Sequence, residues 1–415
     1  MSQGINKKTV AAGAIGNVLE WYDFAVYGYF ATSIGRVFFP KEDPIAQLLF
    51  AFGVFAIGYL MRPLGGMVIG NIGDRIGRKQ ALSVSVAAMA IPTFIVGILP
   101  GYDSIGLAAP ILLTICRMLQ GLSVGGEYTT SIVFMVENAP SKRRGIAGAL
   151  AGCGAVLGIL LGSATGTALT ALMSPESLSS WGWRIPFLLG LVIGFVGLLL
   201  RRNIEVKNEV AVEKKQPIIE TLEHYRPLIA QLAGLSIFNA VTFYLIFVYL
   251  VSWLQLEDKM RQEVSLEINT ISMVIVIPIM IAAGALSDRI GRKPLLIGTV
   301  TAAIFLAYPL FDGMYHQSQM HVQLCQLGFA LLIGIYIGSS PTFMVETAPT
   351  HIRTTSVALG YNLTVGIVGG LTPLTATWLV HQTHSAIAPA FMIIAAALIS
   401  FTALLFMKET YKQKL

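Results

Sequence analysis

The chain has 415 residues, 55% of them hydrophobic and only 12% charged, with a formal net charge of +6. Soluble domains carry about 25% charged residues because every face meets water. A soluble enzyme, a nucleic-acid binder and a disordered chain are therefore excluded, and a mean hydropathy of +0.71 places the chain in a bilayer.

A crossing needs about 20 predominantly apolar residues; on that rule the sequence holds twelve, all helical. The first, 9–36, follows a basic start as a signal peptide would. Its apolar stretch runs on for about 25 residues without a small-residue cleavage site, so it is expected to be a retained helix. Glu20 and Asp23 lie 12 and 15 residues beyond Lys8, about 18–22 Å along a helix and near the midplane. Asn17, Glu20, Asp23 and Tyr27 share a sector of about 120°. An ionisable group at that depth costs several kcal/mol and is rarely kept without a partner or a task. Of the two acids, Glu20 is the better candidate for a purely structural pair with a neighbouring helix.

The second span, 46–70, carries Arg62 and runs into the loop 70–79, GNIGDRIGRK; the third is 80–100. In the fourth, 107–136, a continuous helix would put Arg117, Gln120, Val124 and Glu127 within about 80° of one another, with Glu127 about 15 Å from Arg117. That leaves the Arg117 fork for a carboxylate elsewhere, on a substrate or on Asp23 or Glu20. Gly121-Leu122-Ser123-Val124-Gly125 spells the G-x-S-x-G of a hydrolase elbow. Inside an apolar helix, with no mid-span histidine to act as base, it is not expected to be catalytic. The fifth span, 145–172, holds Gly154, Gly158, Gly162 and Gly166, a small face for close helix packing. The sixth is 183–200.

Residues 201–226 are the one long charged stretch, dividing an N-terminal six-helix bundle (1–200) from a C-terminal one (227–415). The remaining spans are 228–254, 267–286, 294–312, 322–345, 353–380 and 386–407. They contain no mid-span charge but offer neutral polar groups, among them Asn239, Tyr244, Tyr336, Tyr361 and Asn362. Aromatic and amide groups of this kind can cradle a cation by the ring quadrupole and a carboxylate by hydrogen bonds. Cys116, Cys153 and Cys325 lie in apolar segments without CxxC spacing or a neighbouring histidine, so no disulfide, metal or cofactor is expected.

The halves repeat. GNIGDRIGRK (70–79) returns as GALSDRIGRK (284–293), and FMVENAP (134–140) as FMVETAP (343–349), at offsets of 214 and 209. Repeats six spans apart run parallel in the membrane and place a cavity at their interface. In each loop a carboxylate and three cations sit on a tight turn. Asp74, Arg75 and Arg78 in the first, with Asp288, Arg289 and Arg292 in the second, are expected to pair across the halves and break on opening, as a two-state latch. With the N-terminus inside, 21 of the 28 lysines and arginines fall on the cytoplasmic side, which puts both termini in the cytoplasm.

The element G-x-x-x-D-R-x-G-R-K, present twice, resembles the loop signature of the major facilitator superfamily. GNVLEWYDFAVYG (16–28), LMRPLGG (60–66), RMLQGLSVGGEY (117–128), WGWRIPF (181–187) and THIRTTS (350–356) resemble the metabolite:proton symporters within it, bacterial carriers of proline/betaine, 2-oxoglutarate, citrate and shikimate. The resemblance implies the major facilitator fold, twelve transmembrane helices in two six-helix bundles, and no enzyme activity. The expectation is an inner-membrane, proton-coupled symporter of a small carboxylate-bearing metabolite such as proline or betaine, working as a monomer by alternating access. An organic-acid symporter is the alternative. A proton/drug antiporter is disfavoured, since the fifth span lacks the Gly-Pro pair of the antiporters it resembles. Asp23, Glu127 and Glu20 are the expected proton carriers, and Asn17, Tyr27, Arg117, Gln120, Asn239, Tyr244, Tyr361 and Asn362 the expected solute-binding groups.

Overall fold

Among the described residues each expected span is met by helix, the fourth in two stretches. The computed structural model describes residues 7–413 apart from 41–42, 66–67, 69–77, 125–126, 203–220 and 222; the side chains of 7–17, 78–82, 127, 197–198 and 200–202 also lie outside the described set. The membrane helices are α1 (Lys7–Tyr29), α2 (Pro44–Leu60), α3 (Arg78–Ile98), α4 in two stretches (Ala108–Ser123 and Glu127–Glu137), α5 (Arg144–Leu172) and α6 (Ile185–Arg202). They continue as α7 (Arg226–Leu256), α8 (Gln262–Ile290), α9 (Arg292–Asp312), α10 (Gln319–Thr347), α11 (Thr350–Thr383) and α12 (Pro389–Phe406). Nine of the spans, among the described residues, are long and apolar enough to cross a membrane on length and composition alone; α1, α3 and α6 complete the twelve.

Helices are the form such a sequence must take, because hydrocarbon offers no partner for an open backbone N–H or C=O. Their ends are set locally. Asp43 accepts from the Ile45 N–H at 3.0 Å with Pro44 next in line, and Ser318 accepts from His321 at the start of α10. Phe195, Phe305 and Phe391 are exposed by 56–73%, which in a membrane protein is lipid-facing surface.

Residue contacts divide the chain into two units, Met1–Glu127 with Gly154–Lys214, and Tyr128–Cys153 with Lys215–Leu415. The division falls inside α4 and α5. In the first unit α3 packs between α6 and the first stretch of α4, α2 lies on that same stretch, and α1 rests on α6. Two glycines set how closely these helices meet: a Cβ at Gly121 would run into the Gly58 carbonyl of α2, and one at Gly158 into the backbone of α1 at Val18. In the second unit α8 runs along α10, α7 lies against α12, and α9 packs on both α10 and α12.

Two departures from ideal helix matter below. The first stretch of α4 ends at Ser123, with Val124 extended at φ −89°, ψ 91°, so the expected single stripe from Arg117 to Glu127 is interrupted. The sequence Gly125-Gly126 following it favours neither continuation nor a fixed backbone angle. Helices α7 and α11 each contain a π turn, at Leu245–Tyr249 and Thr364–Gly369. Pro373 accounts for the second, because it cannot donate to the carbonyl one turn back at Gly369. Nothing in the sequence of 245–249 marks the first.

Candidate functional site

Three helices of the first unit bring their polar side chains to one point. Asp23 of α1 and Arg117 of α4 are both fully buried and form an ion pair at 2.7 Å, Nη1 to Oδ2. Gln120, one turn beyond Arg117, accepts from the same Nη1 at 2.8 Å and donates to Asp23 Oδ1 at 2.9 Å. The Thr93 hydroxyl of α3 lies 2.7 Å from Asp23 Oδ1 and takes a bond from Gln120 at 2.9 Å. The carboxylate thus meets three donors, one of them charged. Aromatic rings keep the cluster dry. The guanidinium carbon of Arg117 sits 4.3 Å from the Tyr27 ring and 4.8 Å from that of Phe24, and the Tyr27 hydroxyl donates to Ala51 of α2 at 2.9 Å. Among the described residues Arg117 Nε and Nη2 find no hydrogen-bond partner.

Of the residues singled out on the first and fourth spans, Asp23, Tyr27, Arg117 and Gln120 therefore meet, and Arg117 takes the first-span acid left open for it. Thr93 was not foreseen; a threonine within an apolar run gives no signal of its own. The side chains of Asn17 and Glu127 lie outside the described residues. Glu20 is apart from the cluster, bonded to the buried Arg62 just beyond α2, whose guanidinium also lies 5.0 Å from the Tyr59 ring. Glu20 additionally lines a small cavity with Ser85 and Ser123. The Ser123 hydroxyl is engaged with the Gln120 carbonyl at 2.6 Å, so the G-x-S-x-G segment holds a helix end.

In the second unit a cavity is lined by Tyr128, Asn239, Ser340, Met344 and Tyr361, with Leu235, Ser236, Ile337 and Pro341. The rings of Tyr128 and Tyr361 are 5.0 Å apart at 35°. Asn239 and Tyr361 were expected at a binding face; Tyr128 was hidden beside Glu127. Tyr244 is buried beside Gly369, and neither it nor the half-buried Asn362 lines this cavity. Tyr336 is structural, donating to the Leu235 carbonyl at 2.6 Å.

A second charged cluster, also in this unit, gathers at the ends of α8 to α10. Asp288 accepts from the backbone N–H groups of Gly145 and Ile146, in the first turn of α5, at 2.8 and 3.1 Å. It also pairs with Arg292 at 2.9 Å. Arg292, fully buried, grips Glu346 through Nε and Nη2, both at 3.2 Å. Thr410 donates to Glu346 at 2.7 Å, and the Glu409 carboxylate accepts from the N–H groups of Arg292 and Lys293. Two other partners are seen, while the first-loop members of the expected loop-to-loop pairing lie outside the described residues. Asp288 meets a helix N-terminus, where N–H groups without helical partners and the helix dipole attract an anion. The other anion is Glu346, from the repeated FMVE-x-AP element. Arg289 is exposed; Asp74, Arg75 and the Arg78 side chain lie outside the described residues. The first copy's counterpart, Glu137, pairs with Arg353.

Set beside known proteins, the sequence profile of the Major Facilitator Superfamily matches residues 14–373. The chain is 36% identical, over its full length and 86% of the relative, to the glycine betaine/proline/ectoine/pipecolic acid transporter OusA of Dickeya dadantii (strain 3937). It is 34% identical, with the same coverage, to the proline/betaine transporter of Escherichia coli (strain K12). Against a putative proline/betaine transporter of Staphylococcus aureus (strain COL) identity is 38% over 97% of this chain and 88% of the relative. Among solved structures it superposes on a D-xylose-proton symporter with a TM-score of 0.78 at 20% identity, covering 98% of this chain and 99% of the other. At that identity the likeness concerns the fold.

Proposed function

The chain belongs to the Major Facilitator Superfamily, and we propose that it is a proton-coupled symporter that takes up a small zwitterion of the proline and glycine betaine type by alternating access. It is a membrane transporter, not an enzyme. The clustering of lysine and arginine supports an inner-membrane placement with both termini in the cytoplasm, and the monomer is the working unit. The N-terminal bundle (1–200) and the C-terminal bundle (227–415), joined by 201–226, are the bodies that rock.

The observation that carries proton coupling is the fully buried Asp23–Arg117 pair. With Asp23 ionised, the pair is neutral and closed on itself. A proton on Asp23 removes one charge of a dry pair and leaves Arg117 without its anion, an arrangement that low-dielectric surroundings penalise by several kcal/mol. Loading and unloading the proton therefore favours different arrangements of α1 and α4, which is the differential a coupled transporter requires. Gln120 and Thr93 orient the carboxylate, and Arg117 acts as its counter-ion. Glu20, held by Arg62, is assigned to holding α1 against α2.

Asp288 on the first turn of α5, with Arg292 and Glu346 behind it, serves as the gate: the contact is made in one state and released in the other. Uptake into proteoliposomes tests the reading. Radiolabelled proline and betaine should accumulate when the outside is made acidic and stop when a protonophore collapses the gradient. Accumulation of 2-oxoglutarate or citrate in their place would favour the organic-acid alternative.

A further inference from the structure

The cavity of the second unit has no established role, and three of its features point to a ligand. Among the described residues its lining contains no aspartate, glutamate, lysine or arginine. Tyr128 and Tyr361 form a continuous aromatic wall, with ring centroids 5.0 Å apart. The Asn239 amide and the Ser340 hydroxyl border it and, among the described residues, neither is used in a hydrogen bond to protein. By contrast Ser236, on the same cavity, spends its hydroxyl on the Leu232 carbonyl at 2.8 Å. The two tyrosines stand where their helices leave regular geometry, Tyr128 four residues past the extended Val124 and Tyr361 three before the π turn of α11. Departures of this kind re-aim side chains and recur at functional sites.

We propose that this cavity is the solute's own site and that it takes the solute as a zwitterion, the ammonium against the Tyr128–Tyr361 wall and the carboxylate on Asn239 and Ser340, while Arg117 makes no contact with it. The inference rests on the reading of the chain as a zwitterion symporter and adds where the solute sits and what holds each end. Charge decides the class. A lining without formal charge leaves a dicarboxylate or tricarboxylate unneutralised at several kcal/mol per buried anion, whereas a zwitterion brings a net charge of zero. The two ends are then matched by groups of the right kind: a substituted ammonium is weakly hydrated and is drawn to the negative face of a tyrosine ring, and an amide N–H and a hydroxyl donate to a carboxylate.

The test is equilibrium binding to the purified full-length protein, with glycine betaine and its uncharged-head isostere 3,3-dimethylbutyrate, which keeps shape and carboxylate and replaces the ammonium nitrogen by carbon. Wild type should bind betaine about tenfold more tightly than the isostere. Tyr128→Leu and Tyr361→Leu should each abolish most of that preference by weakening betaine alone, while Tyr128→Phe and Tyr361→Phe, which keep the ring face, preserve it. Asn239→Ala should weaken both ligands alike, because both carry the carboxylate. Thermal unfolding confirms that each variant is folded, and the phenylalanine variants carry the test should a leucine variant fail to fold. Equal betaine binding by wild type and both leucine variants, or equal losses for both ligands, would overturn the inference while leaving the symporter reading intact. A wild-type protein that binds neither betaine nor proline but does bind 2-oxoglutarate or citrate would overturn both.

Discussion

Two buried polar regions of this molecule differ in the property that matters for coupled transport. The Asp23 cluster of the first unit is charged and fully buried, its carboxylate met by donors from two neighbouring helices. The cavity of the second unit is lined, among the described residues, by uncharged groups, with an amide and a hydroxyl that make no hydrogen bond to protein. The contrast separates two tasks that a single arginine-centred site would have merged: one region is suited to gaining and losing a proton, the other to gaining and losing a neutral solute. A zwitterion needs no cation from the protein, so Arg117 is released to hold the acid.

The largest effect expected from breaking the contrast is at Asp23. Asp23→Asn should eliminate uphill uptake driven by a pH gradient while exchange of labelled for unlabelled solute survives; proteoliposome flux measures both, and preserved uphill uptake at normal protein level would remove Asp23 from the proton path. Next is Arg117→Gln, which strands a buried carboxylate and should lower stability by about 3–5 kcal/mol. The double variant Asp23→Asn/Arg117→Gln should recover most of that loss. Unfolding midpoints in detergent compare the two, and an undiminished loss in the double variant would mean that Arg117 has another anion.

Asp288→Asn should act more weakly. Removing the anion from the first turn of α5 costs about 1–2 kcal/mol in one conformational state, enough to shift a balanced two-state equilibrium several-fold. Rates should fall with solute affinity little changed, and a cysteine at Ile146 should become more reactive toward a membrane-impermeant thiol reagent. Unchanged labelling would reduce the loop to a topology marker. Smallest is Tyr336→Phe, which loses one buried hydrogen bond to Leu235 and about 1 kcal/mol of stability, with transport unaffected because that ring lies off the cavity; a transport defect larger than the stability loss would give Tyr336 a place at the solute site.

The fold was legible because hydrophobic length is a strong signal in a membrane: among the described residues each of the twelve apolar runs is met by helix, the fourth broken after Ser123, with ends shifted by a few residues where Asp43, Ser318 and similar caps decide them. Asp23, Arg117 and Gln120 were legible because intramembrane charge is expensive and the period of 3.6 residues places Gln120 beside Arg117. The periodic reading failed beyond Ser123, where it assumed one helix through a glycine pair. Thr93 and Tyr128 were not legible, since a threonine or tyrosine in an apolar run fits either packing or binding, and only the neighbours brought by other helices decide between them. Glu346 could have been found: the repeated FMVE-x-AP element marked the position, but the acid was counted as a span end and not as the partner of Arg292.

The central claim, that the proton and the solute occupy different sites, is tested most directly by betaine binding to purified wild type and Asp23→Asn across the pH range in which wild type transports. The account predicts that the asparagine variant binds betaine within a few-fold of wild type while its gradient-driven uptake is absent. A loss of betaine affinity of about tenfold or more in a variant that unfolds at the wild-type temperature, worth about 1.4 kcal/mol of direct contact, would contradict it and return the Asp23–Arg117 cluster to the solute's site.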